Sequence, residues 1–236
     1  MRRRRSRFLR MTLTALVSFA ALAGLWLGLL PQVLNPFPPL QLADSSPWFL
    51  DFRLAIVNRD RGACVDTIAD PVIAAKPLVD FYEKGGCGWK NAVSIRTAGG
   101  AELSVAQVSC GVAAALAMWV QHEVQPLAEK HLGSRVTSIS NMGTYSCRNI
   151  IGRKFFANVR SQHATANAID VAGFKLADGR YISVARDWKG EAQKAAFLRA
   201  VHKRACAYFR VSLSPDFNAA HHDHFHFDRG YMSSCK

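Results

Sequence analysis

The sequence predicts one α+β domain, a small antiparallel sheet flanked by helices, set behind a single N-terminal transmembrane helix. Three stretches predict it. Residues 110–132 carry Val112, Leu116, Trp119 and Val120 as an apolar stripe at helical spacing. Residues 168–176 and 180–185 flank Asp178 and Gly179 as the strands of a hairpin flank a turn. Near the C-terminus Phe225 and Phe227 alternate with His224 and His226, so a period of two puts the phenyl rings on one face and both imidazoles on the other.

The elements follow in chain order. Residues 1–10 form a basic arm holding Arg2, Arg3, Arg4, Arg5, Arg7 and Arg10. Residues 11–30 are twenty positions without a charge, and a helix of that length rises about 30 Å, enough to cross a bilayer core. Arginines before an apolar run stay on the cytoplasmic side, so the rest of the chain is expected to be exported. A cleaved signal peptide competes with this. Its small-x-small site at Ala21 and Ala23 falls inside the run, which is longer than a signal core, so an uncleaved anchor is expected. Residues 31–54 read as a linker, because five of the nine prolines lie between Pro31 and Pro47. One domain then occupies residues 55–236, with no internal repeat and length enough for a real core.

Within the domain, residues 110–132 are expected to be one helix, bent at Pro126 and stopped by Gly133. Val136, Thr137 and Ile139 make residues 135–140 a strand. Ala195, Leu198 and Val201 make residues 191–208 a helix ahead of the strand bearing His224 and His226. His122, His131 and His202 sit in helical patterns and are expected to serve structure.

All six cysteines follow the apolar run, and an even count in an exported domain suggests three disulfides. Sequential pairing, Cys64 with Cys87, Cys110 with Cys147 and Cys206 with Cys235, is the expectation among fifteen pairings that counting allows. The formal charge is +13, but removing the six arginines of the arm leaves 24 Lys and Arg against 17 Asp and Glu. That excess of seven suits an anionic surface such as phospholipid or an acidic wall polymer. Basic residues without aromatic interleaving, on an exported chain, give no support for a nucleic-acid partner. Most of the cations between Arg186 and Arg210 are expected to be a solvated helix face.

Chemistry concentrates at the C-terminal end. Five of the eight histidines lie in two short segments, one around His163 and one holding His221, His222, His224 and His226. Neutral imidazoles and carboxylates are good zinc ligands, and a catalytic zinc takes three of them, leaving one position for water. His163, Asp170 and one histidine of the terminal cluster supply such a set. Small residues alternate through Ala166, Ala168 and Asp170 as at the entry to a strand, which would make the site rigid.

At these residues the chain resembles zinc D-alanyl-D-alanine carboxypeptidases and murein endopeptidases. Tyr145, Ser146, Cys147 and Arg148, then Ser161 to Val171, then Asp187 and Trp188, then His222 to Asp228 resemble, in that order, the bacterial extensin-like C-terminal domain family. This second resemblance covers roughly residues 55–236. The resemblance implies a zinc D,D-peptidase-like fold with His163, Asp170 and His226 as Zn2+ ligands. It implies His224 and Asp223 as catalytic residues beside the metal water, with Arg148 aimed at substrate oxygen. Two departures stand out: Ala166 replaces the usual glycine, and Asp223 is one methylene shorter than the usual glutamate. The implied protein is a single-pass inner-membrane protein of bacteria whose extracytoplasmic domain hydrolyses peptidoglycan peptide bonds. A zinc-stabilised module that binds the wall without catalysis, or a structural envelope protein, is the alternative.

Overall fold

The computed structural model describes residues 2–26, 39–45, 48–151 and 156–236. It is an α+β domain built on a nine-stranded mixed sheet. The first helix, α1, spans Arg2–Trp26. Among the described residues no helix is long and apolar enough to cross a membrane. The apolar run expected to do so continues to residue 30, and its last four positions lie outside the described residues. Most of the proline-rich stretch does so too. Its end does not behave as a linker, for Leu40 and Leu42 are buried in the main core and helix α2 begins already at Leu50, ending at Arg59.

Helix α3, Arg61–Ile68, starts where Asp60 accepts a hydrogen bond from the Ala63 amide. Five strands follow, none of them among the sequence expectations: β1 Ile73–Pro77, β2 Phe81–Glu83, β3 Cys87–Trp89, β4 Ala92–Ala98 and β5 Ala101–Ser109. β2 and β3 form a separate hairpin. Next comes the expected long helix, in three parts: α4 Cys110–Trp119, a π-helical turn over Val120–Val124, and α5 Gln125–Leu132. Pro126 has no N–H to donate and its ring crowds the carbonyl four residues back. It sits in the first turn of α5, directly after the widened π turn. Gly133 ends the helix at φ 67°, as its position suggested.

Strand β6 runs Val136–Gly143, β7 Ala168–Leu176 and β8 Tyr181–Ser183. Short α6, Val184–Asp187, leads to α7, Ala192–Ala205. The chain closes with β9 Val211–Leu213, β10 Phe225–Asp228 and β11 Ser234–Cys235. The sheet order is β1-β4-β5-β6-β7-β10-β9-β11, with β8 also paired to β7. The expected small antiparallel sheet is thus larger and mixed: β5 with β6 and β9 with β11 run parallel.

Every residue of α4 is buried, so this helix is the centre of the core rather than a half-exposed cover. Trp119 anchors it to α7 by donating its indole N–H to the Val201 carbonyl at 2.9 Å. Its ring also meets Phe227 edge-on at 5.2 Å, so the core helix backs the strand that carries His226.

Two of the three expected cysteine pairs are wrong. Cys64 joins Cys110, and Cys87 joins Cys147; Cys206 joins Cys235 as expected. Cys64 lies on α3, which packs on α4 at Cys110, and both sulfurs are buried there. Cys87 on the β2–β3 hairpin instead reaches the loop after β6. Sequence neighbours lost to spatial neighbours.

Candidate metal centre

The centre is built by a register. On the antiparallel pair β7–β10, His226 stands opposite Asp170. Phe225 and Phe227 stand opposite Val171 and Ile169, and all four of these apolar residues are fully buried. Alternation therefore sends Asp170 and His226 together to the other face of the sheet, into a cleft of about 710 Å³. His163 joins from the 3-10 turn Gln162–Thr165 just before β7, where the Ser161 hydroxyl caps the His163 amide. That turn ends at Ala166 with φ 51°, the left-handed conformation that a glycine adopts without strain.

The three donor atoms form a tight triangle. His163 Nε2 lies 3.2 Å from His226 Nδ1 and 3.2 Å from Asp170 Oδ1, and His226 Nδ1 lies 2.9 Å from Asp170 Oδ1. Ligands of a tetrahedral zinc with bonds of about 2.0–2.2 Å stand about 3.4 Å apart, so this triangle fits one face of such a site. Two imidazoles and a carboxylate make a donor set that could hold a metal ion.

Asp228, which the sequence reading placed in the last motif without giving it a role, completes the support. Its Oδ2 accepts from His226 Nε2 at 3.0 Å, which leaves His226 Nδ1 with a lone pair for a metal. Its Oδ1 accepts from the Gly230 amide at 2.8 Å. The signal was present, for the period that aligns His224 and His226 carries on to Asp228. In the metal-free chain, burial opposes a charge on His226, but its bonds to Asp170 and Asp228 outweigh this and raise its pKa to about 9. Burial likewise opposes ionisation of Asp170, yet His163 and His226 hold its carboxyl well below the usual range.

The matching family model, extensin-like protein C-terminus, covers residues 62–236. The chain belongs to that family. No curated protein and no solved structure matches it.

The remaining candidate residues of this extensin-like domain surround the triangle. His224 sits in the turn before β10 rather than on the strand, and its Nε2 lies 3.6 Å from Asp170 Oδ1. Asp223 stands behind His224 rather than at the triangle: its Oδ1 accepts from His224 Nδ1 at 2.8 Å. His221, to which the sequence reading gave no role, faces both histidines, with ring centroids 5.3 Å from His224 and 5.6 Å from His226. Burial pushes its pKa down to about 4, and the charges at His226, His224 and Arg148 add to the shift.

Arg148 lines the same cleft. Its loop is laced to the metal turn: the Ser146 amide donates to the His163 carbonyl at 3.1 Å, and the Ser161 amide to the Arg148 carbonyl at 3.1 Å. Trp188 of the Asp187–Trp188 motif serves support, meeting Phe225 edge-on at 5.6 Å behind β10. His122 and His202 are structural, bonded to the Leu42 carbonyl and the Ser212 hydroxyl.

Proposed function

We propose that this extensin-like domain is a zinc-dependent hydrolase of cell-wall peptide bonds with a zinc D,D-peptidase-like centre. The observation that carries the proposal is the triangle of His163, Asp170 and His226 donors, 2.9–3.2 Å apart, at the base of an open cleft that also holds His224 and Arg148. Zinc held there would polarise a carbonyl and make water a competent nucleophile near neutral pH.

The protein groups supply the rest. Asp223 accepts the His224 Nδ1 proton and so leaves Nε2 free to take a proton from the attacking water. The same Nε2–H can then protonate the leaving amine. Arg148 contributes N–H donors for the charge that develops on the peptide oxygen. Asp223 acts through His224, which removes the difficulty of its shorter reach.

The N-terminal segment is proposed as a membrane anchor with the domain on the extracytoplasmic side. In its support, α1 exposes Leu13, Leu16, Val17, Phe19 and Leu22, side chains suited to lipid rather than water.

The test is zinc analysis of the purified protein followed by a muropeptide digest. The parent is expected to hold one zinc and to cleave. His224→Ala is expected to keep zinc and lose turnover by about a hundredfold or more, whereas His226→Ala loses both. Zinc release by His224→Ala would reverse the roles of the two histidines. A fully zinc-loaded parent that cleaves no wall peptide would leave a wall-binding module.

A further inference from the structure

Beside the metal cleft lies a second one of about 860 Å³. The two share a ridge made by residues 159–162 and by Gly230 and Tyr231. Their walls differ in character. Ile150, Phe156, Leu213 and Phe217 make the metal cleft largely apolar away from its ligands. The second cleft is cationic: Lys90 and Arg160 line it, and Glu83, its one carboxylate among the described residues, already accepts from the Tyr145 hydroxyl at 2.7 Å. Arg210 and Arg229 also reach it but are held by Asp51.

Arg160 stands on the shared ridge and is not a freely swinging surface cation. Its Nε donates to the Gly85 carbonyl at 2.8 Å and its Nη1 to Asn149 Oδ1 at 3.1 Å. Gly85 makes this possible, since a Cβ there would lie 2.7 Å from Arg160 Nη2. Among the described residues no carboxylate pairs with Arg160 or with Lys90. The hairpin whose turn holds Arg160 is itself fixed, by the Cys87–Cys147 disulfide and by Trp89 set edge-on to Tyr145 at 5.1 Å. A guanidinium fixed through Nε and Nη1, with Nη2 still able to donate, in a rigid cationic cleft, suits a carboxylate oxygen.

We propose that the second cleft is a subsite for a carboxylate-bearing part of the substrate distant from the hydrolysed bond, with Arg160 as the residue that grips it. The proposal rests on the peptide-hydrolase reading for the identity of the substrate, but not for the binding itself. A peptide that fills both clefts lies across the ridge, so the enzyme acts on an extended chain rather than on a terminal dipeptide.

The experiment measures binding apart from hydrolysis. Metal-free protein is titrated with a soluble muropeptide and with the same muropeptide amidated at its carboxylates, followed by calorimetry. The parent is expected to bind the carboxylate form at least about tenfold tighter, in keeping with a charge-assisted contact. Arg160→Gln removes the preference, Arg160→Lys keeps part of it, and Lys90→Gln, which touches no tether, reduces it. Equal binding of the two peptides by the parent, within twofold, overturns the proposal, as does an Arg160→Gln protein that keeps the preference. If the zinc-loaded parent cleaves neither peptide while the preference persists, the hydrolase reading fails and the subsite stands. If it cleaves both with the same KM, the subsite fails and the hydrolase stands.

Discussion

Asp228→Asn exchanges one carboxylate oxygen for an amide nitrogen at almost constant volume, yet the site has no good place for that nitrogen. Asp228 accepts twice, from His226 Nε2 at 3.0 Å and from the Gly230 amide at 2.8 Å. An asparagine has one acceptor atom. If its oxygen faces His226, its N–H₂ faces the Gly230 N–H, and a buried donor is left unpaired. If the oxygen faces Gly230, the N–H₂ faces His226 Nε2, which must then become the acceptor. The imidazole proton moves to Nδ1, the atom aimed at the metal. Relative to a neutral imidazole, the first outcome leaves a buried donor unpaired and the second raises the cost of presenting a Nδ1 lone pair. Because the lost carboxylate also lowers the His226 pKa, the comparison is made above about pH 9, where both proteins hold a neutral imidazole. Loss of such a supporting partner commonly lowers metal affinity by about 10–100-fold, or about 1.4–2.8 kcal/mol. Competition for Zn2+ against a chromophoric chelator measures it directly, with circular dichroism as the check on folding. A folded Asp228→Asn protein that binds zinc within twofold of the parent would refute the tautomer argument.

Other expectations concern the same centre and its frame. Because His226 is held protonated up to about pH 9 in the metal-free chain, zinc must displace a proton at neutral pH. Apparent zinc affinity should therefore rise about tenfold per pH unit below about 9, and calorimetry in two buffers of different ionisation enthalpy should report proton release. His202 has its pKa lowered to about 4 by burial. Its folded value lies below the unfolded one of about 6.5, so its contribution is intact above pH 6.5 and is lost as pH falls toward 4. Urea titrations should show a loss of about 3 kcal/mol across that window, which His202→Gln should remove. Replacing Cys87 and Cys147 together opens a loop of sequence separation 60 and should cost up to about 4 kcal/mol in chemical denaturation. Zinc affinity should survive, since the ligands sit on β7, β10 and the preceding turn; a parallel collapse of metal binding would contradict that separation.

The site was more legible in the sequence than the scaffold. Chemistry named His163, Asp170 and one histidine of the terminal cluster, resemblance singled out His226, and alternation placed the phenyl rings of 225 and 227 opposite its imidazole. What local spacing cannot state is which strand lies beside which. The pairing of β7 with β10 joins residues 56 positions apart, Asp170 and His226, and it alone turns two half-sites into one. The strands from Ile73 to Ser109 went unread, although burial in β5 alternates cleanly at Ala101, Leu103 and Val105. Short strands broken by bulges, as where β4 shifts register between Val93 and Ile95, blur the period that would announce them. The role of Asp228 was missed for a different reason: its alternation was visible, but a carboxylate two residues beyond a ligand does not by itself announce that it supports that ligand.

The disulfide connectivity has a consequence in time. Cys64, Cys87, Cys110 and Cys147 pair first with third and second with fourth, so the two closed loops overlap. A chain emerging from its N-terminus offers Cys64 and Cys87 to an oxidant before Cys110 has appeared, and that early partner is the wrong one. Oxidation by itself therefore favours a dead end, and maturation depends on a thiol that can reopen a misplaced bond until α4 arrives to receive Cys64. Producing this domain in quantity should turn less on the supply of oxidant than on the supply of an isomerase.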